Sequence, residues 1–129
     1  STTVESKRLL TDSGGAGQAR GGLGQEVVIR NDSGNLFTVL CMANRTEFAA
    51  KGFSGAKDGS RREHRINGQV VDPKGRLPLA PGDRITMIEA GGGGYGDPKA
   101  RDRERVRSDV TNGFVSPEAA RQDYGLDMN

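Results

Sequence analysis

Three glycine-rich segments contain the residues whose type and spacing could do chemistry in this sequence. They are residues 12–24 (DSGGAGQARGGLG), 51–59 (KGFSGAKDG) and 91–98 (GGGGYGDP). Consecutive backbone N–H groups in such segments can bind an anion, and Arg20 or Lys57 would add charge-assisted hydrogen bonds. None of the segments has the Gly-Lys-Ser/Thr ending of a phosphate-binding loop or the strand-to-helix placement of a dinucleotide site. We therefore expect tight turns and close packing against other backbone more than anion binding.

The side chains that could move a proton or attack a substrate are few. His64 is the only histidine and stands among three arginines, so we expect a surface or interface residue and not a general base. Asp12 and Ser13 could be imagined as a nucleophile pair, but serine activation needs a positioned base and the sequence identifies none. The single cysteine, Cys41, lies in an apolar run and is expected to be a buried, unreactive thiol. Since one histidine and one cysteine cannot complete a zinc site, we predict no catalytic residue and no metal ligand in this chain.

The composition limits the size of the core that the chain can build. Apolar residues make up 33% of the 129 residues, tryptophan is absent, and the 20 glycines are about twice the usual ~7% share. The formal net charge of +2 indicates a mixed surface more than a nucleic-acid footprint, in spite of a basic run at residues 61–65. Part of the burial is therefore expected to come from a partner protein, and a self-sufficient small β-domain is the alternative. No secretory leader or membrane span is predicted, and the expected location is the cytoplasm.

Apolar and β-branched runs predict a β-rich body. Residues 4–10 alternate loosely as a strand. Residues 26–30 and 36–43 are separated by turn residues, which predicts a hairpin between them. A second hairpin is predicted around Asn67-Gly68, because both positions of such a turn need a positive φ.

The remainder of the body combines one more strand with a long polar segment. Residues 84–90 alternate as a strand. Residues 44–63 are polar and interrupted by glycine, which predicts a long loop with a short helical turn at residues 46–50. Asp97, just before Pro98, is expected to set a turn.

The C-terminal residues have a helical pattern. Asp102 can cap a helix over residues 103–112, and a Ser-Pro pair at residues 116–117 opens a second helix. Each helix carries only a thin apolar stripe. The predicted fold class is α+β, mainly antiparallel β with glycine-rich loops and a two-helix C-terminal tail. The predicted division is a β-rich body over residues 1–98 and a helical tail over residues 99–129 that packs on a partner subunit.

At its glycine-rich segments the sequence resembles a known family. The segments LLTDSGGAGQARGGLG (residues 9–24) and GGGGYGDPKARDRERVRSDVTNGFVSPEAARQDYG (residues 91–125) are similar to the C-terminal part of the B-type chain in the hydantoinase, 5-oxoprolinase and acetone/acetophenone carboxylase superfamily. The KGFSGAKDG segment and the PGDRITMIEA strand join them. The resemblance covers nearly all of this chain but only a minor fraction of a usual B-type chain.

The resemblance implies a part of a larger ATP-dependent enzyme. The family's chemistry is phosphorylation of an enol or amide oxygen, followed by carboxylation or lactam hydrolysis. Because the chain begins close before the first motif, we expect a small split subunit of an acetophenone carboxylase-like ketone carboxylase that completes the hydantoinase B-type subunit. The alternatives are a subunit of an ATP-dependent hydantoinase- or oxoprolinase-type amide hydrolase and a purely structural interface subunit.

The resemblance also implies partners and cofactors. The partners would be a large hydantoinase B-like subunit and hydantoinase A-like ATPase subunits, with no nucleic acid and no membrane. We expect this chain to bind no cofactor itself, and ATP and a divalent metal to bind elsewhere in the complex. We expect the chain alone to be inactive.

Two roles are open for the glycine-rich segments. They could line the reaction chamber or a passage to it, or they could complete the fold and interface of the large subunit without touching substrate. The candidate lining or interface residues are Asp12, Ser13, Gly14, Gly15, Arg20, Gly21, Gly22, Gly91, Gly92, Gly93, Gly94, Tyr95 and Asp97.

Overall fold

The computed structural model describes residues 1–127, whose strands form two antiparallel sheets. The order of strands in the larger sheet is β1 (Thr2–Leu9), β2 (Gln25–Asn31), β7 (Arg84–Ile88), β4 (Glu63–Ile66) and β5 (Gln69–Val71). The smaller sheet consists of β3 (Phe37–Met42) and β6 (Lys74–Leu79). Two short helices follow, α1 (Arg103–Thr111) and α2 (Pro117–Gln122). The predicted α+β class, with mainly antiparallel strands and two C-terminal helices, is confirmed.

The two sheets enclose an apolar core. Its buried members come from both sheets and are Cys41, Leu77, Leu79 and Ile85. Leu79 and Ile85 are 0% and 2% exposed. Because side chains alternate between the faces of a strand, each strand contributes only its inward residues to this core.

The predicted hairpin between residues 26–30 and 36–43 is wrong. Both runs form strands, but β2 pairs with β1 along one edge and with β7 along the other, so β3 pairs with β6 instead. The buried Asn31 directs the chain from one sheet to the other. Its side-chain amide donates hydrogen bonds to the carbonyls of Asn35 and Leu79 at 2.9 and 2.8 Å. Turn residues between two strands therefore do not specify which strands pair.

The other strand predictions have different outcomes. The strands at residues 4–10 and 84–90 and the hairpin of β4 and β5 are confirmed, and Asn67 and Gly68 have φ values of 49° and 82°. Strand β6 was not predicted. Its sequence, KGRLPL, contains Gly75 and Pro78, which are both depleted in strands.

The predicted helical turn at residues 46–50 does not form, and the chain only bends there. Arg45 has a φ of 62°, outside the helical region. Its carbonyl accepts from the Arg62 N–H at 3.0 Å, and the Ala50 carbonyl accepts from the Gly59 N–H at 2.9 Å. These carbonyls bond to distant backbone, so they do not form the local bonds of a helix.

The predicted helices and their caps are confirmed. The Asp102 carboxylate accepts from the Arg105 N–H at 3.1 Å at the start of α1, and the Ser116 hydroxyl accepts from the Ala119 N–H at 3.1 Å at the start of α2. Gly113, just after α1, has a φ of 76°. This left-handed conformation is the usual end of a helix at glycine.

The helical tail forms a second core with the first glycine-rich segment of the same chain. The buried members of that core are Ala16, Val106, Val115, Ala120, Tyr124 and Leu126. Packing of the tail on a partner stays a prediction, and residues 128–129 of the predicted tail lie outside the described residues. None of the helices described between residues 1 and 127 has the length and apolar character needed to cross a membrane.

Candidate functional site

The glycine-rich segments lie side by side, with backbone in contact with backbone. A Cβ atom on Gly14 would lie 2.2 Å from the carbonyl oxygen of Gly21, and one on Gly21 would lie 2.1 Å from that of Gly92. A Cβ atom on Gly91 would lie 1.9 Å from the carbonyl oxygen of Ser13. No side chain fits at such distances, so these positions need glycine for close approach and not only for turning.

Hydrogen bonds join these segments. The N–H of Gly15 donates to the carbonyl of Gly92 at 2.9 Å, and the N–H of Gly21 donates to the carbonyl of Gly15 at 2.9 Å. The middle segment takes part as well, since the N–H of Gly94 donates to the carbonyl of Lys57 at 3.1 Å. These N–H groups bond to protein carbonyls and are not directed at an anion. The expected close packing of backbone is therefore confirmed.

Two further glycines of the candidate set have opposite surroundings. A Cβ atom on Gly93 would lie 2.1 Å from the carbonyl oxygen of Lys51, whereas one on Gly22 would meet no atom within 4 Å. Gly22 is also exposed. Gly22 also differs from its neighbour Gly21, so glycines of one segment are under very different steric restraint.

Asp12 and Ser13 do not form a nucleophile pair. The Asp12 carboxylate accepts from the backbone N–H of Ser116 at 2.8 Å, which joins the first glycine-rich segment to the start of α2. The buried Ser13 hydroxyl donates to the carbonyl of Leu10 at 2.5 Å and accepts from the N–H of Gly24 at 2.7 Å. Both side chains therefore bond to the backbone of the fold.

Arg20 lies in a compact ion cluster with Asp109 and Arg101. The Arg20 Nε lies 3.2 Å from Asp109 Oδ2, and the Arg101 Nη2 lies 3.1 Å from the same oxygen. The three side chains are 15%, 10% and 9% exposed for Arg20, Asp109 and Arg101. The Arg20 guanidinium also lies 5.6 Å from the ring centre of Phe114. Its charge is thus directed at the helical tail, and removing it would leave Asp109 with a single cationic partner.

Asp109 and Arg101 are site residues that the sequence motifs do not indicate. A weak sign was available for Asp109, which follows Val106 by three residues and so lies on the buried side of α1. A charged residue on an apolar helix stripe requires a partner when it is buried. The sequence offers no comparable sign for Arg101.

Tyr95 and Asp97 lie where the third glycine-rich segment reaches the surface. The Tyr95 ring stacks on Phe53, with ring centres 6.1 Å apart, and the two side chains remain 56% and 72% exposed. Tyr95 exchanges two backbone hydrogen bonds of 2.9 Å with Ala19. Asp97 accepts from the Lys99 N–H at 2.9 Å and caps a short 3-10 helix, which confirms the predicted turn.

The expected surface position of His64 is wrong, and the expected interface position stays a prediction. The expectation for Cys41 is confirmed. His64 is only 4% exposed, because its side chain faces inward from β4 between β5 and β7. Burial, and to a lesser extent the positive charge of Arg62, lower the pKa of His64 below its usual value. Cys41 is 6% exposed, and burial raises the pKa of its thiol, so the thiolate form is disfavoured.

Metal-ligating side chains do not cluster in the described residues, and several glycine N–H groups are already bonded to carbonyls. Within residues 1–127, no three His, Cys, Asp or Glu side chains stand in a group that could ligate a metal. The Asp109 carboxylate lies between two arginines, and the N–H groups of Gly15, Gly21 and Gly94 donate to carbonyls. These groups therefore support the packing of the glycine-rich segments, and the expectation that this chain binds no cofactor stays a prediction.

Comparison with known proteins places the chain in a family. Residues 1–98 match the family model described as Hydantoinase B/oxoprolinase. The chain belongs to this family. It is 35% identical over 127 residues to the beta chain of caprolactamase from Pseudomonas jessenii. It is 30% identical over 131 residues to the B chain of a putative D-/L-hydantoinase from Pseudomonas sp. strain NS671. These alignments cover 92% and 95% of this chain, but 22% of each relative.

Two solved structures share the fold. The chain matches the crystal structure of the ATP-dependent caprolactamase from Pseudomonas jessenii with a TM-score of 0.79 and 29% identity, over 99% of this chain and 24% of that one. It matches a nucleotide-free acetone carboxylase structure with a TM-score of 0.70 and 20% identity, over 96% of this chain and 21% of that one, which shows the fold alone. The family resemblance predicted from the glycine-rich motifs is confirmed, and the chain spans about a quarter or less of the length of these relatives.

Proposed function

We propose that this chain forms part of the B-type component of an ATP-dependent enzyme that hydrolyses a cyclic amide. The observation that carries the proposal is the 35% identity to the beta chain of caprolactamase over 92% of the chain. An alignment of that extent takes in most of the glycine-rich segments and of the helical tail. The 30% identity to a putative hydantoinase chain supports the same substrate class, because a hydantoin is also a cyclic amide.

Ketone carboxylation of the acetophenone carboxylase type is the second candidate. Its support is the fold shared with acetone carboxylase at 20% identity, together with the motif resemblance. A shared fold alone says little about the reaction, since one fold supports many chemistries. We therefore place amide hydrolysis first, ahead of the carboxylation favoured by the motifs alone.

The proposed role of the chain in either reaction is to build and position the B-type component. The Ser13 and Asp12 side chains form hydrogen bonds with backbone groups, and Arg20 forms an ion pair with Asp109. These contacts hold the glycine-rich segments in place. ATP and a divalent metal would bind to other parts of the complex. The proposed partners are a hydantoinase A-like ATPase component and the remainder of a hydantoinase B-like component.

Turnover by the isolated complex tests the reaction. The chain would be tagged and purified with its partners, and ADP release measured with caprolactam, with hydantoin, and with acetophenone plus bicarbonate. We expect amide-dependent ADP release and appearance of the ring-opened amine or carbamoyl acid. ADP release that needs both ketone and bicarbonate, and no amide, would overturn the proposal in favour of carboxylation.

A surface variant separates the chamber role from the scaffold role. Arg20→Ala is unsuitable because it breaks the ion cluster with Asp109. Tyr95→Ala removes an exposed ring and leaves its backbone bonds with Ala19 in place. If Tyr95 lines the chamber, turnover falls at least about tenfold while the complex still assembles. Unchanged turnover would favour a scaffold role, and Phe48→Ala, which removes another ring that is 75% exposed, is the control.

A further inference from the structure

A cavity of about 530 Å³ opens at one end of the sandwich core, beside the hairpin of β4 and β5. Its volume lies in the range of ~300–1,000 Å³ that is usual for sites of small molecules. His64 and Arg62 line it, and both also line a smaller adjoining cavity of about 160 Å³ next to Cys41. The cavity lies apart from the glycine-rich segments, and none of their residues lines it.

Two residues of the lining carry buried polar atoms that have no hydrogen-bond partner within the described part of the chain. Both ring nitrogens of His64 and the Nε of Arg62 are buried, and none of the three has a hydrogen-bond partner among residues 1–127. Arg62 forms an ion pair with Glu89 through its Nη2 atom, so the Nε–H is not used in that pair. A buried donor or acceptor without a partner is unfavourable, so such groups on residues that line a cavity point to a ligand.

The charges around the cavity are balanced. Three basic and three acidic side chains line it: Arg61, Arg62, Lys74, Glu47, Glu63 and Asp72. A dianion such as phosphate would gain little from a lining without net positive charge. A ligand with one negative and one positive group can bond to both kinds of side chain.

The lining of the cavity also contains apolar side chains. Val70, Val71 and Ile88 contribute to the lining, and Val70 is 65% exposed. Contact with an apolar chain would remove this surface from water, which is favourable. The lining therefore combines the buried polar atoms of two residues, charged side chains of both signs and apolar side chains.

We propose that this cavity binds a small zwitterion, an amino carboxylate whose two charged groups are joined by an apolar chain. The carboxylate accepts from the Arg62 Nε–H and from the N–H of the neutral His64 ring. The ammonium group lies at the rim near Glu47 and Asp72, which are both exposed. The apolar chain lies along Val71, the cross-strand neighbour of His64.

The ligand class follows from the lining of the cavity. Its meaning for the reaction rests on the proposed function, because hydrolysis of a lactam releases an amine and a carboxylate on one chain. In that case the cavity is a site for the product or for a closely related effector. Binding is measured without turnover, so the site and the reaction can fail separately.

The single histidine makes the test direct. In a chain labelled with ¹³C-histidine, the ring signal belongs to His64 alone. Titration with 6-aminohexanoate is expected to shift this signal in a saturable way. Hexanoate and hexylamine, which each lack one charged group, are expected to bind at least about tenfold more weakly, and inorganic phosphate is expected to leave the signal unchanged.

Variants of Arg62 test the assigned contact. Arg62→Lys keeps a positive charge beside Glu89 but removes the Nε–H, so we expect at least about tenfold weaker binding of 6-aminohexanoate. Arg65→Lys is the matched control, because Arg65 is an exposed arginine of β4 that pairs with Glu63 and does not line the cavity. Three results would each overturn the site: no saturable shift with 6-aminohexanoate, tighter binding of phosphate, or unchanged binding by folded Arg62→Lys. Amide-dependent ATP turnover with an unresponsive His64 signal would overturn the site and leave the proposed function standing.

Discussion

The two halves of this molecule are built on different principles. In the sandwich half, which is the two sheets, inward side chains such as Leu79 and Ile85 form the core. In the glycine half, which is the three glycine-rich segments with α1 and α2, the backbones approach each other directly and hydrogen bonds join them. The sandwich half can adapt to a changed side chain by repacking. Where the segments of the glycine half cross, there are no side chains that could move. Adding a single Cβ atom there would therefore force the backbones apart.

Gly21→Ala is the change with the largest expected effect. Its new Cβ would lie 2.1 Å from the carbonyl oxygen of Gly92, and backbone on both sides would have to separate. We expect a loss of about 3 kcal/mol or more in the free energy of unfolding, measured by urea denaturation. The adjacent Gly22→Ala is the control, since its Cβ meets nothing within 4 Å, and we expect a change within about 0.5 kcal/mol. Equal effects of the two changes would contradict the steric account of the glycine half.

Asp109→Asn tests the ion cluster that joins the glycine half to its helices. The variant leaves Arg20 and Arg101 side by side without their carboxylate, and Arg101 is only 9% exposed. Breaking a buried pair by removing one partner costs about 3–5 kcal/mol, which thermal or urea unfolding would detect. Glu104→Gln removes the exposed partner of Arg107 on the same helix and should cost less than about 0.5 kcal/mol. A small effect at Asp109 would mean that the cluster is hydrated or replaceable.

Leu79→Ala measures the adaptability of the sandwich half. Leu79 is 0% exposed, and truncation of a buried leucine costs about 2–5 kcal/mol according to how far the cavity can collapse. Hydrogen exchange should show the loss of protection in β3 and β6 before the glycine half. Leu40→Ala, at a position 66% exposed in the same small sheet, is the control and should change stability by less than about 0.5 kcal/mol. Simultaneous loss of protection in both halves would show that they unfold as one unit.

The smallest predicted effect is a pH dependence from His64. Its pKa in the folded chain is lowered, mainly by burial, so the unfolded chain binds the proton more readily. Stability should be constant above the unfolded pKa near 6.5 and fall as pH decreases below it, by at most about 1.4 kcal/mol per pH unit. In His64→Asn, the urea concentration at the unfolding midpoint should depend less on pH between pH 7 and 5 than it does in the unchanged chain. No other histidine can contribute, because the chain has only one.

Much of the fold could be predicted from local patterns. Asp102 and Ser116 mark the starts of α1 and α2, because a side-chain acceptor before a helix is a local requirement. Asn67-Gly68 marks the hairpin of β4 and β5 for the same kind of reason. Strand pairing could not be predicted in this way. Strand β3 cannot pair with β2, because β1 and β7 occupy both edges of β2. Those two strands are distant from each other in sequence.

By itself, the sequence determined the helix caps, the tight hairpin, the low apolar content and the family, because each depends on nearby residues or on a recognisable motif. Only the tertiary structure decided how the glycines are used and where His64 lies. Glycine permits an anion-binding loop as well as close backbone packing, and the choice between them is made by segments that meet across about 80 residues of sequence, as Gly14 and Gly91 do. A histidine among arginines is polar in sequence, but its place on β4 between β5 and β7 buries it, since strand pairing sets which side faces the core.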